Sequence, residues 1–196
     1  MKRVLDVVLS SLGLLVLSPV LCLAALLVRW DSPGPVLFTQ RRVGRHFRPF
    51  VIYKFRTMWS DNRGPGISVA GDPRITRVGR WLRRTKLDEL PQLLNVLKGD
   101  MSLVGPRPEL PKYVEMFRSE YADILCVRPG LTDPASVKYR NEAILLAAAP
   151  DPEEEYVRRI LPDKLRLARE YVRGSSLVSD LVLIARTVLH LPAGRR

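Results

Sequence analysis

Residues 7–28 read VVLSSLGLLVLSPVLCLAALLV, 22 positions without a charged side chain. At about 1.5 Å per residue, a helix of this length extends for about 33 Å, which is enough to cross the hydrocarbon core of a bilayer. The run is longer than the apolar region of a secretory signal peptide, and it ends without a small-residue cleavage site. We therefore predict a membrane helix in residues 1–30.

Ser18-Pro19 lies near the middle of this run. Proline removes one backbone N–H and pushes against the carbonyl of Leu15, so we expect a kink, with the Ser18 hydroxyl bonding a nearby carbonyl. Lys2 and Arg3 precede the run and a basic region follows it, so the positive-inside rule favours the cytoplasm for both ends. A re-entrant helix-break-helix meets both demands, and a kinked spanning helix remains the alternative.

The positive charge is concentrated just after the apolar run. The chain has 32 Lys and Arg against 20 Asp and Glu, a formal net charge of +12. The window 41–86 alone holds 13 basic and two acidic side chains. Such local charge indicates an anionic partner, and nucleic acid, anionic membrane and phosphate-bearing substrates all fit it. Two cysteines and two histidines exclude a disulfide framework and a four-cysteine metal site, and favour a reducing compartment.

Residues 31–196 are predicted to form one domain of α+β class, mainly helical. Short apolar runs at 36–40 and 50–55, joined through a glycine-containing loop, predict a small β-hairpin. Helical spacing predicts amphipathic helices suited to the membrane interface. The remaining predicted segments are a loop at 61–72, helices at 75–97 with a break at Pro91, at 112–125, at 153–171 and at 175–191, and an irregular stretch at 128–141.

Asp88-Glu89 is the first candidate for chemistry, because it directly precedes Leu90-Pro91. Proline is favoured in the first turn of a helix, so the pair is predicted at a helix N-terminus, where the helix dipole favours ionised carboxylates. A carboxylate held ionised among the nearby arginines suits a nucleophile towards phosphorus or a metal ligand. An ordinary helix cap is the alternative.

Two further motifs present cations. Arg107 lies between Pro106 and Pro108, so its guanidinium has little backbone freedom, which suits bidentate recognition of phosphate; a rigid surface turn is the alternative. Lys54 and Arg56 end the second hairpin strand and by alternation are expected on one face. A solvated strand end is the alternative there. The glycines form no Walker or Rossmann pattern.

In this order, the motifs resemble the bacterial sugar transferases, the monotopic phosphoglycosyl transferases that act on polyprenyl phosphate. The resemblance covers nearly the whole chain. Its blocks are Lys2-Arg3 with Asp6, Ser18-Pro19, Phe38-Thr39-Gln40, Lys54-Phe55-Arg56-Thr57-Met58, Leu87-Asp88-Glu89-Leu90-Pro91-Gln92, Gly105-Pro106-Arg107-Pro108, Arg128-Pro129-Gly130-Leu131-Thr132 and the helix at 176–189.

The resemblance implies a re-entrant helix and transfer of a sugar-1-phosphate from a UDP-sugar to polyprenyl (undecaprenyl) phosphate, with release of UMP. Asp88 matches the nucleophile that forms a covalent aspartyl phosphosugar intermediate. Glu89 matches its partner in the dyad, and the two carboxylates are expected at a Mg²⁺ site. Arg107 matches a phosphate-binding arginine, and Arg83 and Lys54 match basic residues of the active site, to which we add Arg56.

Residues that would meet the sugar or the nucleotide are expected in the following loop: Arg128, Thr132, Arg140 and Asn141. Here the chain departs from the family that it resembles, because it reads Asp133-Pro134-Ala135-Ser136-Val137 where many members have Gly-Trp-Ala-Gln-Val. The sugar and the glycan pathway therefore stay open.

The expected location is the cytoplasmic face of a bacterial inner membrane, with membrane lipids and a second copy of the chain as further partners. A membrane-anchored nucleic-acid-binding protein and a structural membrane adaptor are the alternatives. The basic window matches no recognisable nucleic-acid-binding fold, so we expect no nucleic acid partner.

Overall fold

The first element, α1 (Lys2–Asp31), is a 30-residue helix with Pro19 inside it. In the computed structural model, which describes residues 1–59 and 66–189, α1 is the one helix long and apolar enough to cross a membrane. The Ser18 hydroxyl donates to the Leu15 carbonyl at 2.8 Å. Proline at position 19 has no N–H for this carbonyl, so the hydroxyl replaces the lost donor as expected. The re-entrant path itself stays a prediction.

The N-terminal end of α1 is bonded to the rest of the domain. Lys2 forms an ion pair with Asp180 at 2.6 Å. The buried Asp6 carboxylate accepts hydrogen bonds from the Ser102 hydroxyl at 3.0 Å and the Leu103 N–H at 2.9 Å. These contacts hold the first turns of the apolar helix against residues far along the chain.

The C-terminal end of α1 is bonded to the same domain. The Asp31 carboxylate accepts from the Val78 N–H at 2.9 Å, and the buried Arg56 guanidinium donates to the Ser32 carbonyl at 2.6 Å. Ala24 and Val28 of α1 form a small buried cluster with Phe55 and Leu82. Both ends of the apolar helix therefore contact one folded body.

The predicted hairpin is confirmed. Strands β1 (Leu37–Val43) and β2 (Pro49–Phe55) pair antiparallel, with Leu37 opposite Phe55 and Val43 opposite Pro49. The connection between them contains His46 and Phe47 at positive φ, which reverses the chain in a short loop. The hairpin brings the C-terminal end of β2 against the segment that carries Asp88 and Glu89.

That segment is a 3₁₀ turn, Leu87–Gln92, between α2 (Arg77–Thr85) and α3 (Leu93–Lys98). We predicted the helix break at Pro91, but the structure places it at Lys86, which has φ of 59°. The left-handed conformation of Lys86 ends α2, and its N–H bonds the Leu82 and Arg83 carbonyls. Pro91 is accommodated inside the 3₁₀ turn.

The stretch 128–141, predicted to be irregular, contains two regular elements. Strand β4 (Gly130–Thr132) pairs in parallel with β3 (Ser102–Val104), and helix α6 (Pro134–Lys138) follows directly. Three-residue strands are too short to show the alternation on which strand prediction depends. A parallel pair also joins residues that are far apart in sequence, so no local sequence pattern predicts the pairing.

Helices complete the domain, which is mainly helical as predicted. They are α4 (Pro111–Met116), α5 (Arg118–Ile124), α7 (Glu142–Ala147), α8 (Pro152–Glu155), a π turn at Tyr156–Ile160, α9 (Leu161–Gly174) and α10 (Leu177–Leu189). The helix predicted at 112–125 is divided at Phe117. Tyr113 and Tyr121, one in each half, are buried in one hydrophobic cluster with residues of α7, the π turn and α9. Of the predicted loop at 61–72 and the helix end at 190–191, positions 61–65 and 190–191 lie outside the described residues.

Candidate active site

Asp88 and Glu89 lie in the first turn of the 3₁₀ segment, directly after the left-handed Lys86. The sequence prediction of a carboxylate pair in a first helical turn is therefore confirmed, although the helix is of the 3₁₀ type. The turn packs against β2, so the pair faces residues at the end of the hairpin. This arrangement explains how Lys54, 34 positions earlier, reaches the pair.

Glu89 is held by two cations. Lys54 Nζ lies 2.8 Å from its Oε1. Arg107 bonds both oxygens, Nη2 with Oε1 and Nη1 with Oε2, the latter at 3.3 Å. Burial by itself would raise the pKa of Glu89, but Arg107 and Lys54 hold that pKa well below its ordinary value. Glu89 is therefore an ionised carboxylate that fixes the positions of both cations.

Asp88 is in the opposite situation. It is 8% exposed, and its Oδ1 has no hydrogen-bond partner among the described residues. Burial, together with the negative charge of Glu89, raises the pKa of Asp88 to about 6, while Lys54, Lys86 and Arg83 act in the other direction. Two adjacent carboxylates thus have divergent pKa values, an arrangement typical of residues with different chemical roles. Asp88 keeps an oxygen available for a reacting group or a cation.

Arg107 is presented by a rigid turn. The Gly105 N–H donates to the Thr132 carbonyl at 3.0 Å, and the Gly130 N–H donates to the Pro106 carbonyl at 2.9 Å. The chains approach so closely that a Cβ on Gly130 would lie 2.0 Å from the Gly105 nitrogen. The Arg107 side chain is 36% exposed and borders the cleft beside Glu89. The pairing of β3 with β4 thus fixes the backbone that carries this cation.

Arg83 approaches Asp88 from α2. Its Nε donates to the Thr57 hydroxyl and its Nη1 to the Ser68 hydroxyl, both at 2.8 Å. Burial lowers the pKa of Arg83, and the nearby Asp88 carboxylate partly offsets the effect. The guanidinium is therefore oriented by neutral groups, and its charge is balanced first by Asp88, then by Asp72 and Glu89.

Two of the predicted site residues have their guanidinium groups bonded to other segments, although Arg56 also borders the cleft described below. We expected Arg56 on the same face as Lys54, but β2 ends at Phe55, so strand alternation does not extend to Arg56. Its guanidinium donates instead to the carbonyl and hydroxyl of Ser32. Arg128 Nε donates to the Gly99 carbonyl at 2.7 Å, at the C-terminal cap of α3. The structure gives both arginines bonds that join chain segments.

The other predicted loop residues border a cleft beside the carboxylates. The buried Thr132 shares a hydrogen bond of 2.7 Å with the Thr187 hydroxyl, and Arg140 and Asn141 are exposed at the rim. The cleft has a volume of about 1640 Å³. Its wall also contains the charged groups described above, Lys54, Arg83, Asp88, Glu89 and Arg107. The structure therefore brings most of the predicted site residues to one opening.

Asp133 is a site residue that the sequence reasoning missed. One carboxylate oxygen accepts from the Ser136 N–H at 2.7 Å and caps α6, while the other lies 3.3 Å from the Arg107 N–H. An aspartate directly before Pro134 is a typical helix start, so the capping role could have been found in the sequence. Its contact with Arg107 could not, because it depends on the β3–β4 pairing.

Glu109 is the second missed residue. It is buried next to Pro108, with one oxygen 2.8 Å from Arg42 Nη1 and the other 2.5 Å from the Tyr156 hydroxyl. The Glu109 carbonyl also accepts from the Val43 N–H at 3.1 Å. These bonds join the end of the Arg107 turn to the hairpin and to the π turn.

Asp88 and Glu89 are also the expected ligands of Mg²⁺. Within residues 1–59 and 66–189 there is no cluster of three or more Asp, Glu, His or Cys side chains able to hold a metal. Mg²⁺ needs fewer, because it commonly uses one or two carboxylates and completes its shell with water and substrate phosphates. The unpartnered Oδ1 of Asp88 fits this requirement. The Glu89 oxygens are already bound by Lys54 and Arg107, so Asp88 is the better ligand.

Comparison with known proteins gives one family. Residues 1–193 match the bacterial sugar transferase family. A UDP-glucose:undecaprenyl-phosphate glucose-1-phosphate transferase of Caulobacter vibrioides is 45% identical over 95% of this chain and 68% of its own length. A UDP-N-acetylgalactosamine-undecaprenyl-phosphate N-acetylgalactosaminephosphotransferase of Aeromonas hydrophila is 37% identical over 98% of this chain. The exopolysaccharide production protein PSS of Rhizobium leguminosarum bv. phaseoli is 41% identical over 96% of this chain and 94% of its own length.

Some relatives are much longer than this chain. The match spans 44% of the Aeromonas hydrophila protein and 39% of a UDP-glucose:undecaprenyl-phosphate glucose-1-phosphate transferase of Escherichia coli, which is 40% identical. The names of these relatives include both glucose and N-acetylgalactosamine as the transferred sugar.

Proposed function

Because the chain belongs to the bacterial sugar transferase family, we propose that it transfers a sugar-1-phosphate from a UDP-sugar to undecaprenyl phosphate and releases UMP. The observation that carries the proposal is the buried Asp88 with an unpartnered oxygen, beside Arg83 and an ionised Glu89 held by two cations. This arrangement supplies a nucleophile and the positive charge that phosphate chemistry needs. The names of the relatives supply the classes of donor and acceptor.

In the first step, an Asp88 carboxylate oxygen attacks the phosphorus that carries the sugar. The bond from this phosphorus to the bridging oxygen breaks, UMP leaves with that oxygen, and an aspartyl phosphosugar forms. In the second step, an oxygen of undecaprenyl phosphate attacks the same phosphorus and the bond to Asp88 breaks. The product is the undecaprenyl diphosphate sugar, and the Asp88 carboxylate is regenerated.

The charged residues around Asp88 have separate roles in this scheme. Arg107, on its rigid turn, binds donor phosphate oxygens from the wall of the cleft. Glu89 keeps Arg107 and Lys54 in place, and Arg83 balances charge next to Asp88. Bound Mg²⁺, held by Asp88, would reduce the repulsion between the carboxylate and the diphosphate.

The acceptor is a lipid, so the site must lie at a membrane. We infer that α1 re-enters the cytoplasmic leaflet of a bacterial inner membrane rather than crossing it, with residues 31–196 as the catalytic domain outside. The support is that both ends of α1 are bonded to the same body, Lys2 to Asp180 and Asp31 to Val78. Leu17, next to the Ser18-Pro19 step, also borders the cleft, so the membrane helix forms part of its wall.

UMP release tests the proposal. The purified protein, in a membrane mimetic with undecaprenyl phosphate and Mg²⁺, is incubated with separate UDP-sugars, including UDP-glucose and UDP-N-acetylgalactosamine. We expect UMP release with one or a few of them, and formation of a lipid-linked diphosphate sugar. Release of UDP in place of UMP, or no release with any donor, would refute the proposed reaction. The preferred donor identifies the sugar and narrows the choice of glycan.

A further inference from the structure

Helix α2 carries a basic surface, and the proposed reaction gives a role only to Arg83 of this helix. Its sequence, RVGRWLRRT, contains four arginines and no acidic residue. The inner face packs on α1, because Leu82 is in the buried cluster of Ala24 and Val28, with Val78 against it. The backbone of Gly79 passes so close to Thr57 that a Cβ would lie 2.2 Å from its carbonyl oxygen. The helix is thus fixed in rotation and cannot turn its outer face inward.

The start of α2 is tied to the end of the apolar helix. Asp31, the last residue of α1, accepts from the Val78 N–H at 2.9 Å, and Thr76 caps the same turn by accepting from Gly79. Trp30 beside Asp31 is 78% exposed. If α1 is in the membrane, α2 therefore begins at the level where the apolar helix meets the headgroups.

The outer face of α2 consists of three exposed arginines and a tryptophan, Arg77, Arg80, Trp81 and Arg84. Their spacing of three, four and seven positions places them on one side of the helix. Trp81 is 41% exposed. Within residues 1–59 and 66–189, none of the three arginines forms an ion pair with an acidic side chain. The face therefore presents positive charge and an interfacial aromatic ring next to exposed apolar surface of α1.

We propose that this face, Arg77, Arg80, Trp81 and Arg84, binds the headgroups of anionic phospholipids and gives the protein a preference for them over zwitterionic lipids. Three fixed positive charges at headgroup depth complement the negative surface of such a membrane. Tryptophan is favoured at the same depth, and arginine stems extend along the apolar boundary while their guanidinium groups reach the phosphates. The proposal rests on the membrane location inferred above, but it does not depend on the transferase reaction.

Fluorescence quenching tests this preference directly. The chain has three tryptophans, so Trp30→Phe with Trp59→Phe leaves Trp81 as the single fluorophore. This variant is reconstituted in phosphatidylcholine vesicles that contain equal fractions of either brominated phosphatidylglycerol or brominated phosphatidylcholine. We expect clearly stronger quenching by the brominated phosphatidylglycerol at low salt, and a smaller difference at 0.5 M NaCl because salt screens the attraction.

Replacement of the three arginines should remove the preference. With Arg77→Gln, Arg80→Gln and Arg84→Gln, we expect the two brominated lipids to quench Trp81 equally, since each arginine at a membrane surface contributes about a fivefold increase in affinity. The same positions changed to lysine keep the charge and should keep the preference. This lysine variant also separates loss of charge from loss of folding. Arg80 and Arg84 also border the cleft, so quenching and not turnover is the measurement.

A matched control removes three exposed arginines from another part of the chain. Arg158→Gln, Arg159→Gln and Arg166→Gln change the net charge by the same amount on the π turn and α9. The preference should persist in this control. Equal quenching by both lipids with all arginines present, no quenching by either, or equal loss in the control would overturn the proposal. UMP release from the same reconstituted protein reports separately on the proposed reaction.

Discussion

Asp88 and Glu89 are adjacent in sequence, yet their surroundings give them opposite properties. Glu89 is bonded by Lys54 and Arg107, so it is fixed and ionised. Asp88 is buried with an oxygen that no described residue bonds. Leaving a buried carboxylate oxygen unpaired costs stability. A protein retains such a group most readily where a substrate or a cation bonds it during function.

Asp88→Asn tests this assignment. The amide has nearly the same volume, so the 3₁₀ turn should still form, but it lacks the carboxylate nucleophile. We expect UMP release to fall by about a thousandfold or more. The measurement is single-turnover UMP release, with thermal unfolding of the purified variant as a control for folding. Near-normal release by Asp88→Asn would remove Asp88 as the nucleophile.

The raised pKa of Asp88 predicts a pH dependence. Its pKa is about 6 because burial disfavours the charged form. Below that pH the carboxyl group is protonated and cannot attack phosphorus, so the second-order rate constant of single-turnover UMP release should fall about tenfold per pH unit. The assay omits undecaprenyl phosphate, so that ionisation of the acceptor does not contribute. A flat profile between pH 5 and 7 would contradict the ionised-nucleophile scheme.

Among single residues, sequence reasoning succeeded where local chemistry decides and failed where a distant segment decides. Asp88 and Glu89 were predicted in a first helical turn and lie in one, although that turn begins after Lys86 and Pro91 lies farther along it. The different directions of the Lys54 and Arg56 side chains could not be predicted, because β2 ends between the two residues. Arg56 then bonds Ser32 in the loop after α1. No sequence pattern indicated the role of Glu109, since its partners Arg42 and Tyr156 come from other elements.

At the scale of elements, strands β3 and β4 have only three residues each, yet they position two charged residues of the site. Their parallel pairing holds the Arg107 turn between them and places Asp133 at its backbone. The hairpin, by contrast, could be predicted because its strands are long, adjacent in sequence and joined by a short turn. The parallel pair escapes prediction because neither strand is long enough to show a period.

Gly130→Ala tests the importance of this pairing. The new Cβ would meet the backbone of Gly105 at 2.0 Å, so the two strands must separate. A displacement of this size at a phosphate-binding turn should lower kcat/KM by about a hundredfold. Gly174→Ala is the matched control, because nothing lies within 4 Å of its Cβ and it ends α9. Equal activity of the two variants would show that Arg107 does not depend on the close strand approach.

At the scale of the whole molecule, the basic window at 41–86 is divided among several roles. Lys54 and Arg83 line the cleft, and Arg56 joins the end of α1 to the hairpin. Arg77, Arg80 and Arg84 lie on the outer face of α2, the last two at the border of the cleft. Composition showed that this charge is local but could not divide it, because the division depends on which side of each element packs. The exposed arginines of α2 lie beside α1, so their position depends on how α1 is oriented in the membrane.

The contacts of α1 argue against a spanning orientation. A continuous helix of 30 residues is about 45 Å long. Lys2 near its start, Gly13 near its middle and Asp31 at its end all approach one body, through Asp180, Leu93 and Val78 respectively. If α1 crossed the bilayer, part of this charged body would lie at membrane depth, which is strongly unfavourable.

We therefore expect the N-terminus and the C-terminus on the same, cytoplasmic side. Protease-cleavable tags at both ends should be removed in inverted membrane vesicles and protected in intact spheroplasts. Ser18→Ala with Pro19→Leu restores the N–H that bonds the Leu15 carbonyl and removes the kink-forming residue, so part of this variant should transfer its N-terminal tag to the periplasmic side. An N-terminal tag of the unaltered protein that is protected in inverted vesicles would establish a spanning helix, and the contacts between Lys2 and Asp180 would then have to break on insertion.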